Sequence, residues 1–331
     1  MLSLVKSSEL TFPKIRNILF MFKNIHLSYY FFSQEDGIMY HFDREYNRRN
    51  TECVKWDVMS EDILPMWIAD MDFEAPAPIY EAFVKRANHH VYAYSKLSNE
   101  YYQAVIDFMQ RRHNFHVEKD WIVFTPGVVI ALTLGVQAVT EPGEEVMILS
   151  PVYGPFRGAT TACGRKLIES PLVNNDGYYT IDFDDMEKRI TPNTKAFMLC
   201  SPHNPVGRVW TKEELTKIAQ FCLKHNLYLI ADEIHNDLVF KDHIVMNNIS
   251  DELAEKTILC TAPSKTFNLA GLQASNIIIK NEDDRQASPP SRTLVFGIPR
   301  LPFLLDARPE IDSASKKTSR DTTASRLVFA V

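Results

Sequence analysis

The sequence predicts an α/β fold built on a mostly parallel sheet with helices on both faces, and three observations predict it. Between residues 121 and 280, short apolar runs alternate with stretches of helical length, the pattern of βαβ units. The runs are apolar throughout rather than at every second position, as strands covered on both faces require. Polar residues suited to chemistry follow directly after several runs, at the strand ends where an open parallel sheet gathers its ligands.

The elements follow in chain order. A helix is expected over 99–112, burying Tyr102, Val105, Ile106 and Met109 at helical spacing. The strands expected are 121–125, 145–150, 196–200, 227–231, 257–261 and 276–279. A further helix, 130–139, follows the Pro126-Gly127-Val128-Val129 turn. The clearest helix start is Thr211, with Glu214 three residues later as a capping box and Leu215, Ile218, Ala219 and Cys222 as the apolar stripe.

Composition bounds the function. A chain of 331 residues, 45% hydrophobic, can bury a large core. Its formal net charge of -6 offers no basic excess for nucleic acid or anionic lipid, so neither is expected as a partner. Five scattered cysteines without a C-x-x-C pair indicate neither disulfides nor zinc and fit a reducing cytoplasm. Lys23 and His26 break the apolar patches near the start well short of a membrane span or a secretory signal. Residues 1–38 are therefore expected to be a disordered or artefactual extension, with Met39 as the functional start. After Asp284 the composition turns to Pro, Ser, Thr, Lys and Arg without a period, so a divergent, disordered tail is expected over 282–331.

Four strand ends carry the candidate chemistry. Gly127 opens a strand-to-helix turn of the kind whose backbone N–H groups and helix dipole hold a phosphate. The loop Ser201-Pro202-His203-Asn204-Pro205-Val206-Gly207 presents Asn204. Asp232, then Glu233 and His235, follows an apolar run, and a carboxylate at a buried strand end needs a cation or several donors. Lys265 stands in Ser264-Lys265-Thr266 after the next run. Singly, each has an ordinary structural explanation. His113 and His116, in a hydrophilic stretch, are expected to lie on a helix surface, and a metal site using them or Asp232, Glu233 and His235 is the least favoured possibility.

Together, Asn204-Pro205-x-Gly207, Asp232-Glu233-Ile234-His235 and Ser264-Lys265-Thr266-Phe267-Asn268-x-Ala270-Gly271-Leu272-Gln273 resemble the fold-type I pyridoxal-5′-phosphate (PLP) enzymes, and more narrowly their cystathionine β-lyase (C–S lyase) branch. Asn47-Arg48-Arg49, Val54-Lys55-Trp56-Asp57 and Pro65-Met66-Trp67-Ile68-Ala69-Asp70-Met71-Asp72-Phe73 are similar to that branch's opening. The resemblance runs from about Met39 to Asn281. It implies a PLP-dependent transferase-like large domain over 89–281, an incomplete small domain whose N-terminal segment is 39–88, and a homodimer acting on a small amino acid.

The resemblance also implies roles. Lys265 would bond the PLP aldehyde and later act as general base, while Asp232 would pair with the pyridine nitrogen. Asn204 and His235 would lie at the phenolic oxygen, and Tyr153 against the ring. Gly127, Val128 and Val129 would hold the phosphate with Ser264, and Tyr94 would reach the phosphate of the neighbouring subunit. Gln273 stands where transaminases carry a phosphate-binding arginine, which favours C–S bond cleavage to thiol, pyruvate and ammonia. None of Arg292, Arg300, Arg308, Arg320 or Arg326 matches the family's carboxylate-binding arginine. The alternatives are an aminotransferase of the same fold and a truncated PLP-binding protein without activity.

Overall fold

The computed structural model describes Phe42 and residues 44–286. The expected extension over 1–38 and the expected tail beyond Gln286, with its five arginines, lie outside the described residues. Backbone contacts divide the chain into two compact units, Met1–Pro76 and Ala77–Val331.

In the first unit a network of charges organises the described segment. Arg48 donates to Asp70 at 2.9 Å and to Asp72 at 2.6 Å, and Lys55 meets Asp72 at 2.7 Å. Trp56 donates its indole N–H to the same Asp72 carboxylate at 2.8 Å. The Lys55 side chain is only 7% exposed, and an ammonium so enclosed is tolerated because carboxylates surround it. Arg49 donates to the carbonyls of Trp56, Met59 and Ile63 around the helical turn Val54–Asp57. The arginines, lysine and aspartates of the opening motifs are thus structural ties.

The second unit begins with α1 (Ala77–Ala87) and α2 (Asn99–His113) and continues into a seven-stranded sheet. Its strands are β1 (Ile122–Thr125), β2 (Glu145–Ser150), β3 (Lys166–Pro171), β6 (Thr194–Cys200), β7 (Tyr228–Asp232), β8 (Thr257–Thr261) and β9 (Ser275–Ile279), in the spatial order β1-β9-β8-β7-β6-β2-β3. The small hairpin β4 (Val173–Asn175) and β5 (Tyr178–Thr180) stands apart. All neighbouring pairs of the large sheet are parallel except those of β9, which runs antiparallel to both β1 and β8. The remaining helices are α3 (Val128–Val139), α4 (Pro155–Thr161), α5 (Phe183–Arg189), α6 (Lys212–Lys224), α7 (Asp251–Ala254), α8 (Pro263–Thr266) and α9 (Glu282–Gln286).

Both sheet faces are covered, as continuous apolar strands require. On one face Met147, Leu149, Phe197, Leu199, Leu229 and Leu259 pack with Tyr101 and Phe108 of α2 and Leu215, Ile218 and Cys222 of α6. On the other, Val146, Ile148, Met198, Ile230 and Ile258 pack with Ala131, Leu132 and Val136 of α3 and Phe156 of α4. The capping box at Thr211 and Glu214 is formed as its spacing predicts.

Two expectations need correction, and two further elements escape the sequence reading. Helix α2 turns Tyr101, Ala104, Val105, Phe108 and Met109 inward and leaves Tyr102 and Ile106 half-buried, because the Tyr101 hydroxyl donates to Asn276 on β9 and sets the facing side. The edge strand β3 escapes the apolar-run criterion, since Lys166, Glu169 and Pro171 break its pattern. The hairpin β4–β5 is missed, although Asp176-Gly177 at its turn is an ordinary signal. His113 is not on a helix surface: its side chain is 4% exposed and faces the buried Asp237 at 3.3 Å.

Candidate active site

The carboxyl edge of the sheet assembles the site. Within the register, Asp232 at the end of β7 lies between Cys200 of β6 and Cys260 of β8. Beyond it the backbone is fixed from both neighbours, as Ser201 N–H donates to the Asp232 carbonyl and Glu233 N–H to the Cys260 carbonyl, both at 2.9 Å. The Asp232 carboxylate is buried and accepts Ile234 N–H at 3.1 Å. Burial pushes its carboxyl up to about 7; the Ile234 bond opposes this, the adjacent Glu233 adds to it, and the Lys265 ammonium works against it. A buried carboxyl held near neutrality is poised to ionise when a stronger cation arrives.

Lys265 sits on α8, one turn after β8, with Ser264 buried beside it. Its charge is felt at Asp232 and at His235. Burial, then that ammonium, pushes the His235 imidazole down to about 4, so it is neutral at physiological pH. Tyr153, 42% exposed, faces the same carboxylate: burial, then Asp232, raises its phenol. The Tyr153 N–H donates to the Asn204 carbonyl at 3.0 Å. Tyr153, Asn204, Asp232, His235 and Lys265 therefore stand together.

The Gly127 turn reaches the same edge by way of β9. Since β9 is antiparallel to both neighbours, Thr125 at the end of β1 and Thr261 at the end of β8 flank its first residues, Ser275 and Asn276. Gly127 has φ +101° and ψ 149°, a backbone state that side chains disfavour, with no atom within 4 Å of where a Cβ would stand. Its own N–H donates to the Thr125 carbonyl at 2.9 Å. Gly127 shapes the turn, and the first-turn N–H groups of Val128 and Val129 point out of α3 without intrahelical partners. Tyr94 does not join this group within the chain. It is 97% exposed on the extended stretch before α2. Gln273 is exposed in a left-handed conformation at the turn before β9.

Sequence reasoning missed the supports behind these groups. His203, 1% exposed, donates from Nε2 to the Pro151 carbonyl at 2.9 Å, tying the Asn204 loop to the Tyr153 loop. Burial pushes its imidazole down, which keeps it neutral. Arg208 stacks between Tyr178 and Trp210 and makes paired bonds to Glu214 at 2.8 and 2.7 Å, while its carbonyl accepts His203 N–H at 2.7 Å. The position of His203 beside Asn204 was the available signal; that of Arg208 carried none. Glu233, wholly buried, meets His243 at 2.8 Å and accepts Met246 N–H. Among the described residues no group of three or more His, Cys, Asp or Glu is placed to hold a metal ion.

Comparison with known proteins agrees with this geometry. The model of the family described as aminotransferase class I and II matches residues 65–325, running past Asn281, where the sequence resemblance was read to end. Cystathionine beta-lyase PatB of Bacillus subtilis is 45% identical over 246 residues, covering 72% of this chain and 64% of its own. Protein MalY of Escherichia coli is 32% identical over 258 residues, 75% of this chain and 65% of its own. The chain thus spans a little under two thirds of these curated relatives. The crystal structure of cystalysin from Treponema denticola, which contains a pyridoxal 5′-phosphate cofactor, superposes with a TM-score of 0.73 at 42% identity, over 80% of this chain and 72% of that one.

Proposed function

This chain belongs to the aminotransferase class I and II family, and on that premise we propose that it is a PLP-dependent C–S β-lyase, cleaving cystathionine or related cysteine S-conjugates to thiol, pyruvate and ammonia. The observation that carries the reading is the pairing at one sheet edge of a lysine with a buried carboxyl whose proton is held up to about 7. An acid in that state fits a pyridine nitrogen, because a ring cation would supply the counter-charge its pocket lacks. When bound, PLP supplies an aldehyde for the lysine amine and a ring that takes up the electron pair left when a bond to Cα breaks.

The chain's own residues divide the remaining work. Asp232 holds a proton on the ring nitrogen, since an adjacent negative charge raises that nitrogen's affinity for it. Lys265 removes the Cα proton as general base. Asn204 and the neutral His235 donate to the phenolic oxygen. Val128 and Val129 N–H groups and the Ser264 hydroxyl hold the phosphate, and Tyr153 lies along the ring. Tyr94, standing in solvent on its own chain, serves the phosphate site of a second copy, so the working form is a homodimer. Five free cysteines accord with a cytoplasmic enzyme, and no helix among the described residues is long and apolar enough to cross a membrane.

The test is direct. The full chain mixed with PLP is expected to show visible absorbance that Lys265→Ala abolishes, and to release pyruvate from cystathionine. With a 2-oxo acid added as amino acceptor, a keto acid formed from cystathionine without ammonia would identify an aminotransferase instead. Absorbance without turnover would identify a cofactor-binding protein that lacks lyase activity.

A further inference from the structure

We propose that Asp237 is a positioning residue for Lys265, acting through the Thr266 hydroxyl. The inference rests on the cofactor-binding reading given above. Helix α8 is a single turn, Pro263–Thr266, without a side-chain cap at its start. One turn fixes several dihedral angles for one hydrogen bond and is unstable alone, so its place must come from outside the helix. Ser264 and Thr266 flank Lys265 on that turn. Thr266 Oγ1 donates to Asp237 Oδ2 at 2.8 Å.

Asp237 is built to receive that bond. Its side chain is 3% exposed, on the loop that follows β7 and carries His235 two residues earlier. Its other oxygen, Oδ1, faces Arg112 Nε and His113 Nε2 from the end of α2, each at 3.3 Å. Burial alone would raise this carboxyl, yet His113, Thr266 and Arg112 together hold it below the ordinary range. An ionised, buried acceptor makes a stronger and more directional bond to a hydroxyl than a neutral one does. Phe267, the next residue, packs its ring on Phe108 of α2 at 6.2 Å. The carboxylate therefore ties three parts together: the end of α2, the loop leaving Asp232, and the turn bearing Lys265. Both of its oxygens face groups of the protein, Oδ2 the Thr266 hydroxyl and Oδ1 Arg112 and His113, and through the first it fixes where the lysine amine stands.

The experiment reads the covalent link between the Lys265 amine and the PLP aldehyde, which forms with loss of one water. Full-length protein is incubated with subsaturating PLP, reduced with borohydride and digested, and the modified fraction of Lys265 is measured by mass spectrometry. Thr266→Val keeps the shape and removes the donor; it is expected to lower the trapped fraction at fixed PLP roughly tenfold, the size of a lost hydrogen bond to a charged group. Thr266→Ser restores the donor and is expected to recover most of it. Asp237→Leu is expected to match Thr266→Val, and the double variant to be no worse than Asp237→Leu alone. Wild-type yields for Thr266→Val overturn the proposal even if Asp237→Leu fails to fold. Equal losses in Thr266→Val and Thr266→Ser also overturn it, since the hydroxyl then plays no part. Absence of trapping in the wild type sinks the cofactor reading itself and this inference with it.

Discussion

Asp232 makes the site's chemistry visible in the stability of the protein. Its carboxyl is ordinarily near 3.8, and burial first of all raises it to about 7. The folded chain thus binds this proton more tightly than the unfolded chain does. The resulting contribution to stability is complete below about pH 4 and is lost as pH rises towards 7. Three pH units correspond to at most roughly 4 kcal/mol. The neutral His235, which burial holds down at about 4, contributes the opposite slope up to about pH 6.5, so the Asp232 loss is read as a difference. The urea midpoint of the cofactor-free wild type is expected to fall relative to that of Asp232→Asn as pH rises from about 5 to about 8. PLP should flatten this relative fall, by placing a cation against the ionised acid. A wild-type midpoint that keeps a constant distance from that of Asp232→Asn across this range would contradict the burial account.

At the scale of elements, Gly127 and Thr211 separate function from scaffolding. Gly127→Ala meets no steric obstacle, so its effect comes from backbone strain, about 1–3 kcal/mol. Strain at that turn tilts the first N–H groups of α3, and PLP affinity is expected to fall with stability. Thr211→Ala loses the capping box, at about 1 kcal/mol, and should leave PLP affinity unchanged. Equilibrium dialysis beside thermal melting distinguishes the two variants. The same elements show what the sequence could disclose. Strands β2 and β8 are legible to the residue because both faces are buried and the apolar run is unbroken. The groups at the carboxyl edge are legible because each follows such a run. Strand β3 is not, since an edge strand half in water alternates irregularly. The facing side of α2 is misread by one residue because its phase is set by Tyr101 and Asn276, 175 residues apart. Asp237 is illegible for the same reason: its partner Arg112 lies 125 residues earlier, and no local pattern announces that pairing.

Across the whole molecule, the five thiols report on how the unit opens. Cys200, Cys222 and Cys260 are buried, and burial raises all three thiols well above their usual range. Cys53 and Cys163 are partly exposed. A thiol reagent is expected to label two cysteines promptly in the native protein and the other three only on unfolding. Because Cys200 and Cys260 flank Asp232 in the register, their labelling should slow when PLP is bound, as ligand linkage raises the free energy of opening. Prompt reaction of all five would mean a loosely packed sheet.

The reversed course of β9 has a mechanical consequence. Residues 262–274 leave the sheet from β8 and re-enter it through β9 at the same rim, so the lysine rides on an arch with both feet planted side by side. Such an arch resists swinging in a way that a tether held at one foot does not. A protease site engineered at Gly177, in the outlying hairpin, should leave the arch standing and the cofactor in place after cleavage. A cut at Gly271 should release one foot and the cofactor with it.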